Sequence, residues 1–433
     1  MSRLRHSWSF CLAIVGLLTL IAHAGCRAQA SPAEKPTTAE GRAWFESLPG
    51  VSRSTSLALQ EELAQLRMEQ ALPEHFAAVT AAENKTHWQA IFPDFTRQHT
   101  VGQIESVFPG PALTWTAAEL QKAKETLPRL AAVREQFAAE LTQATDLNLD
   151  LSDGILSPPK TLEVIQLGAR LEVVFAAQHL AEDDPAAAVE SAKLLLHTAW
   201  LLANEGAVAP RLAAGKIRES ALRVLVAAHN HRLASAAVSS VATSLLTAEL
   251  ARWPSDGVTW RRERAQGMLA YELVRGGHFL AFLNDEELAE LRGRNILKVT
   301  AKTAQQHVDK DQLRYLTWLR RLVEISEQPY HRRLAELNKL QDELESLRDT
   351  PEFPVVAAML LADFPLVQQR QAEDLARVLG VRLAFQRAVG DETSTEENPV
   401  TGSSFIIDAT ADEVVLRPVA IGSEPPFRLR NKS

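Results

Sequence analysis

From Ser54 to Gly390 the apolar residues recur mostly at helical spacing, and no other feature restricts the fold as much. Apolar positions three and four apart make one face of an α-helix, so this stretch predicts packed helices. Leu59, Leu63 and Leu66 share such a face. Thr116 and Glu119 form a Thr-x-x-Glu capping box ahead of a stripe of Leu120, Leu127, Leu130, Phe137 and Leu141. Pro128 falls inside that run and predicts a kink or a split, because proline lacks the ladder N–H and crowds the preceding turn. Asp184-Pro185 is a helix start, an N-cap followed by proline at the first helical position. The helix it opens carries Val189, Leu194, Leu195, Leu196 and Trp200 over much of its circumference, which predicts a central, buried helix ended by Gly206.

Further helices are expected over 217–228, 234–250 and 260–274, with Pro254 and Gly276-Gly277 as boundaries. Asn284 and Glu287 open a short one with Leu288 and Leu291. A long pattern from Asp311 to Leu347 is interrupted by Pro329; its stripe of Leu337, Leu340, Leu344 and Leu347 is too short for a coiled-coil seam and reads as a packed amphipathic helix. Leu375, Val378, Leu379 and Leu383 mark the last helix. Between Phe92 and Thr114, Pro93, Pro109, Gly110 and Pro111 predict an irregular surface crossing, with Phe92, Phe95 and Phe108 tucked into the body.

After Gly390 the character changes. An acidic, polar linker leads to Ser404–Ile407 and Glu413–Leu416, β-branched runs on either side of a polar turn, which read as a hairpin. A lone hairpin is marginal in water, so it should lean on the helices. The expected fold class is mainly α: a multi-helix bundle or irregular α-array with a small C-terminal β-hairpin. The segments are 1–25, export signal; 26–53, flexible tether; 54–390, helical body; and 391–433, linker and hairpin tail.

The first segment sets the expected compartment. Arg3 and Arg5 form a basic front, Phe10 to Ala22 is an almost unbroken apolar run, and Ala22-His23-Ala24 offers small residues where a signal peptidase reads. The run is shorter than the about 20 residues of a membrane span. Cys26 follows in His23-Ala24-Gly25-Cys26, a string that resembles a bacterial lipoprotein box, which implies acylation of Cys26. The alternative is plain cleavage after Ala24 or Ala30, giving a soluble exported protein. Cys11 lies in the signal, so Cys26 has no disulfide partner in the mature chain, and the Ala-, Pro- and Ser-rich stretch after it suits a tether. The expected localisation is periplasmic or lipid-anchored to the cell membrane. The net charge of −8 over 433 residues becomes more negative once Arg3 and Arg5 are removed, which disfavours nucleic acid as a partner.

Candidate chemistry is sparse. Glu263 stands among Arg261, Arg262 and Arg264, one turn before Gly267, where a second helix can approach. It reads either as a general base or as part of a structural ion pair joining two helices. His197 lies on the apolar helix beside Trp200, as a buried acid–base group or a hydrogen-bonded histidine at the edge of the core. These two are the only catalytic candidates. His229 and His231 sit two apart, on different helix faces, so they cannot chelate as an i,i+4 pair would and read as exposed imidazoles at a helix end. Asp146, Asn148, Asp150, Ser152 and Asp153 are rich in oxygen but lack the glycine and glutamate of an EF-hand loop. No phosphate-binding glycine loop, zinc-protease helix or serine-hydrolase elbow occurs in the sequence, and no metal or cofactor is expected.

The stretch Leu194 to Val274, with Glu263-Arg264-Ala265-Gln266-Gly267 near the start of a helix, resembles a group of exported bacterial α-helical proteins. The tail, Pro399-Val400-Thr401-Gly402 ahead of Phe405–Ile407 and Val414–Leu416, is similar to the C-terminal part of type II secretion pseudopilins. The resemblance implies a helix pair in the core, a small hairpin at the end and no particular activity. The leading functional expectation is a non-enzymatic cell-envelope component whose surface binds another envelope protein, with membrane contact through a lipid at Cys26 if acylated. The alternatives are a hydrolase-type enzyme with a cleft between helices, and a divergent relative of secretion pseudopilins.

Overall fold

The structure is a computed structural model. It describes Leu59, Glu61 and residues 98–110, 112–145, 147, 160–277, 279, 288–289, 292–293, 297–348, 350, 352–361, 363–391, 395–418 and 426–431. The export signal, Cys26 and the tether lie outside the described residues, as does the oxygen-rich cluster at 146–153 apart from Leu147. The short helix expected after Asn284 is described only at 288–289 and 292–293, which are helical.

The body is helical and the tail is a small sheet, as the apolar spacing requires. The helices are α1 (Gln98–Ser106), α2 (Ala117–Gln143), α3 (Lys160–Ala181), α4 (Pro185–Glu205), α5 (Val208–Asn230), α6 (Ala236–Ala251), α7 (Asp256–Arg275), α8 (Leu297–Gln306), α9 (Val308–Ser326), α10 (Tyr330–Ser346), α11 (Val355–Leu360) and α12 (Phe364–Ala388). Among these no helix is long and apolar enough to cross a membrane. The local start and stop signals act as written. Thr116 and Glu119 close the reciprocal capping box, the Asp184 carboxylate accepts from the Ala187 N–H at 2.9 Å, and Gly206 ends α4 in the left-handed region at φ 75°.

Three local expectations are corrected. The crossing between Phe92 and Thr114 contains α1, because Val101 and Ile104 fall on one face between Pro93 and Pro109; Ile104 is buried. Phe108 is 38% exposed instead of tucked in, with the Arg170 guanidinium 5.1 Å from its ring centre. Pro128 does not divide α2: it removes one ladder N–H, while Leu127 and Leu130 stay buried on either side of it. The expected hairpin is present as β1 (Ile407–Ala409) and β2 (Glu413–Leu416), and β3 (Phe427–Arg430) extends it to a three-stranded antiparallel sheet, with Ile407 opposite Leu416 and Val414 opposite Leu429.

Two apolar cores organise the body. The first joins α1 to α6, the C-terminal half of α12 and the sheet, and α4 and α5 pack along their lengths at its centre. The second joins α7 to α11 and the N-terminal half of α12, and includes Leu59. The α12 helix serves both cores. Phe364, Val367 and Ala372 enter the second core, and Val378, Val381, Ala384 and Phe385 the first. Between these sets its face is polar: Gln368, Gln371, Glu373 and Asp374 are all buried.

The sheet rests on α5 and α12. Val414, Leu416 and Leu429 point into the first core. The outer edge of β3 meets the end of α5. The Asn230 side chain accepts from the Arg430 N–H at 2.8 Å and donates to the Arg428 carbonyl at 2.7 Å. His229 Nε2 donates to the Arg430 carbonyl at 2.7 Å, and Nδ1 and the Ser239 hydroxyl are hydrogen-bonded at 2.8 Å. His229 is therefore fully buried, edge-on to Phe385, and not an exposed imidazole. These bonds satisfy strand groups that would otherwise template further pairing.

Candidate functional site

Polar groups converge where the two cores meet, on the faces of α5, α7, α10 and α12. Arg218 on α5 is wholly buried. Its Nε donates to Glu249 at 2.7 Å and its Nη1 to Asp374, and its guanidinium carbon lies 4.3 Å from the Trp253 ring centre. Burial opposes the Arg218 charge, but the Asp374 and Glu249 carboxylates outweigh it and hold its pKa above the usual arginine value. Arg211, two turns earlier on the same helix, covers the same indole at 5.2 Å and reaches Asp256 at 3.3 Å. Asp256 also takes Arg333 of α10 at 2.9 Å. From there the network runs through Gln368 to Ser326, and Gln371 donates to Thr259 at 2.9 Å. A buried ion pair of this kind contributes little to net stability compared with an apolar filling, but breaking it is costly.

Glu263 and His197 are not brought together here. Glu263, in α7, points at the α4–α5 corner, where its Oε1 accepts the N–H of Val208, the first residue of α5, at 2.7 Å. The N-cap residue of α5 is Ala207, which has no side chain to do this. The neighbouring Arg262 donates to the carbonyl of Glu205, the last residue of α4. A carboxylate at a helix start and a guanidinium at a helix end each complement the local dipole, so two adjacent α7 side chains hold one corner. Tyr315 of α9 donates to the Glu263 carbonyl at 2.7 Å. Gly267 makes room for that ring, since a β-carbon there would lie 2.1 Å from the Tyr315 hydroxyl. Glu263 keeps some exposed surface, but its carboxyl lies among dense protein. Burial raises its pKa to about 7, and the Val208 bond pulls the other way. The flanking arginines do not give Glu263 the ion pair expected of it.

His197 is half-buried on α4. Its Nε2 donates to the Leu141 carbonyl near the end of α2 at 2.9 Å, and its ring stacks 5.7 Å from Trp200. Asp311 repeats the Glu263 arrangement in the second core. It accepts from the Val356 and Ala357 N–H groups at 2.9 and 3.0 Å, at the start of α11, and from the Tyr271 hydroxyl at 2.7 Å. Burial raises the Asp311 pKa, against the pull of these three donors. The N-cap of α11 is Pro354, which again has no side-chain cap.

A small surface hollow beside Asp311 is lined by His307, Lys310, Arg314, Glu352 and Phe353, and there Glu352 pairs with both Lys310 and Arg314. Among the described residues no three His, Cys, Asp or Glu side chains stand close enough to hold a metal ion. The sequence reading missed the arginines and carboxylates of the seam, although Arg218 carries a signal. Ala214, Ala221 and Leu225, its neighbours at helical spacing, are buried, so a charge stands on an apolar face. Comparison with family models, curated proteins and solved structures found no match for the chain.

Proposed function

We propose that this chain is an exported, non-enzymatic component of the cell envelope, lipid-anchored at Cys26 or free in the periplasm, whose helical body binds another envelope protein. The observation that carries the non-enzymatic part is the way the two candidate catalytic side chains are used. Glu263 fixes the start of α5 at 2.7 Å and His197 holds the end of α2 at 2.9 Å. Each group is committed to joining helices, whereas acid–base work needs groups converging on a space that a substrate can enter. The export part rests on the basic front, apolar run and small-residue site of Met1–Ala24.

Intact mass of the protein from fractionated cells tests the compartment. A diacylglyceryl adduct on a chain beginning at Cys26, or an unmodified chain beginning at Gly25 or Ser31, supports export; a chain still carrying Met1 in the cytosolic pool refutes it. In-cell photocrosslinking then tests the binding role, with the expected result a discrete adduct to one envelope protein and the contrary result monomer alone.

A hydrolase is the second reading, favoured by a single observation: Glu263 titrates near neutrality. Ester, peptide and glycoside substrates assayed with the wild type, Glu263→Gln and His197→Gln separate the two. Turnover lost in either variant, with stability retained, establishes the enzyme.

A further inference from the structure

Charge is unevenly shared along the seam. Arg218 pairs with two carboxylates, Asp374 and Glu249, the second of which also holds Arg252 at 2.7 Å. Arg211 and Arg333 divide one, Asp256, and Arg333 has the shorter bond. The Arg211 side chain is 1% exposed, and its Nε and Nη1 have no hydrogen-bond acceptor among the described residues. It also lies over the Trp253 ring, whose other cation is Arg218.

A buried lysine relieves such a position by losing its proton, whereas arginine stays charged at any ordinary pH. An under-compensated buried guanidinium is costly, and hydrogen-bond donors left unmade add to that cost. Burial lowers the Arg211 pKa in spite of Asp256 and Asp374, with Arg218 acting in the same direction as burial.

We infer that the seam binds a small inorganic anion of halide size at the orphan N–H groups of Arg211. The ion supplies the negative charge that Asp256 cannot give to two arginines at once. Its role is to complete the junction between the two cores, so folding and anion binding are linked.

The test uses the full chain. Thermal unfolding is followed during titration with sodium bromide, with sodium gluconate holding ionic strength constant, and crystals grown in bromide are examined for anomalous scattering. The expected result is a saturable rise in Tm with bromide, equivalent to about a 100-fold gain in the folded-to-unfolded ratio when the ion is at 100 times its Kd. That component disappears in Arg211→Met, and a bromide peak lies within hydrogen-bond distance of Arg211 Nε or Nη1. A Tm unaffected by exchanging gluconate for bromide overturns the inference. So does a saturable response that survives in Arg211→Met. If that variant does not fold, the wild-type bromide crystal decides, and water alone at Arg211 refutes the site.

Discussion

Both cores are mainly aliphatic, but the first is rich in alanine and its buried aromatics are phenylalanines, whereas the second sets buried tyrosines and tryptophans among its aliphatic residues. On α4 and α5, Ala188, Ala192, Ala199, Ala203, Ala214, Ala221 and Ala228 are all buried, so the two backbones approach closely along many turns. In the second core Trp260, Tyr271, Tyr315, Trp318 and Tyr330 are buried, and the Tyr271 and Tyr315 hydroxyls each donate to a partner on another helix. An aliphatic core is held by burial and packing alone, which are non-directional. An aromatic core with polar tips must also satisfy its hydrogen bonds, so its fit depends on particular acceptors. The seam between them takes this dependence further, with buried charges that each need a partner of opposite sign.

This contrast can be broken in order of expected effect. Arg218→Met takes the buried cation from Asp374 and leaves Glu249 with Arg252 alone, and should cost about 3–5 kcal/mol in urea unfolding. A loss below 1 kcal/mol would mean that the seam is wetter than its burial indicates. Leu225→Ala, in the wholly aliphatic part of the first core, should cost about 2–5 kcal/mol through lost burial and the cavity left behind. An equal loss from Leu225→Met would show that shape, and not burial, governs that core.

The Glu263 titration gives the third effect, and its sign is fixed. A carboxyl raised to about 7 in the folded chain still holds its proton where the unfolded chain has released it. Its contribution is therefore complete below pH 4.5 and is lost as pH rises to about 7, by up to about 3 kcal/mol. Glu263→Gln keeps an acceptor for Val208 and should flatten that part of the pH profile; an unchanged profile would place the titration elsewhere. The smallest effect sharpens the comparison from the aromatic side. Tyr271→Phe removes one of three donors to Asp311 and should cost about 1–2 kcal/mol, read as a shift in Tm.

These differences also explain how much the sequence discloses. Helix ends governed by their own neighbours are legible, as at Thr116, Asp184 and Gly206, because cap and helix lie within a few residues. The ends of α5 and α11 are not, since Glu263 lies 55 residues from Val208, and Asp311 lies 45 from Val356. In the sequence Glu263 reads as a candidate general base and Asp311 only as the start of a helical pattern, and only the fold shows both at helix starts. The third strand was hidden for a similar reason. Phe427–Arg430 is short and half charged, and its edge is held by His229 and Asn230 from the far end of α5. The aliphatic stripe of α4 carries its meaning locally, and there the expected central helix agrees with the one observed.

One girder passes through both halves of the body. The α12 helix contributes apolar side chains to each core, so neither can come apart without stripping this element from the other. The two halves consequently have no private melting points, and heating should dismantle them in a single cooperative step.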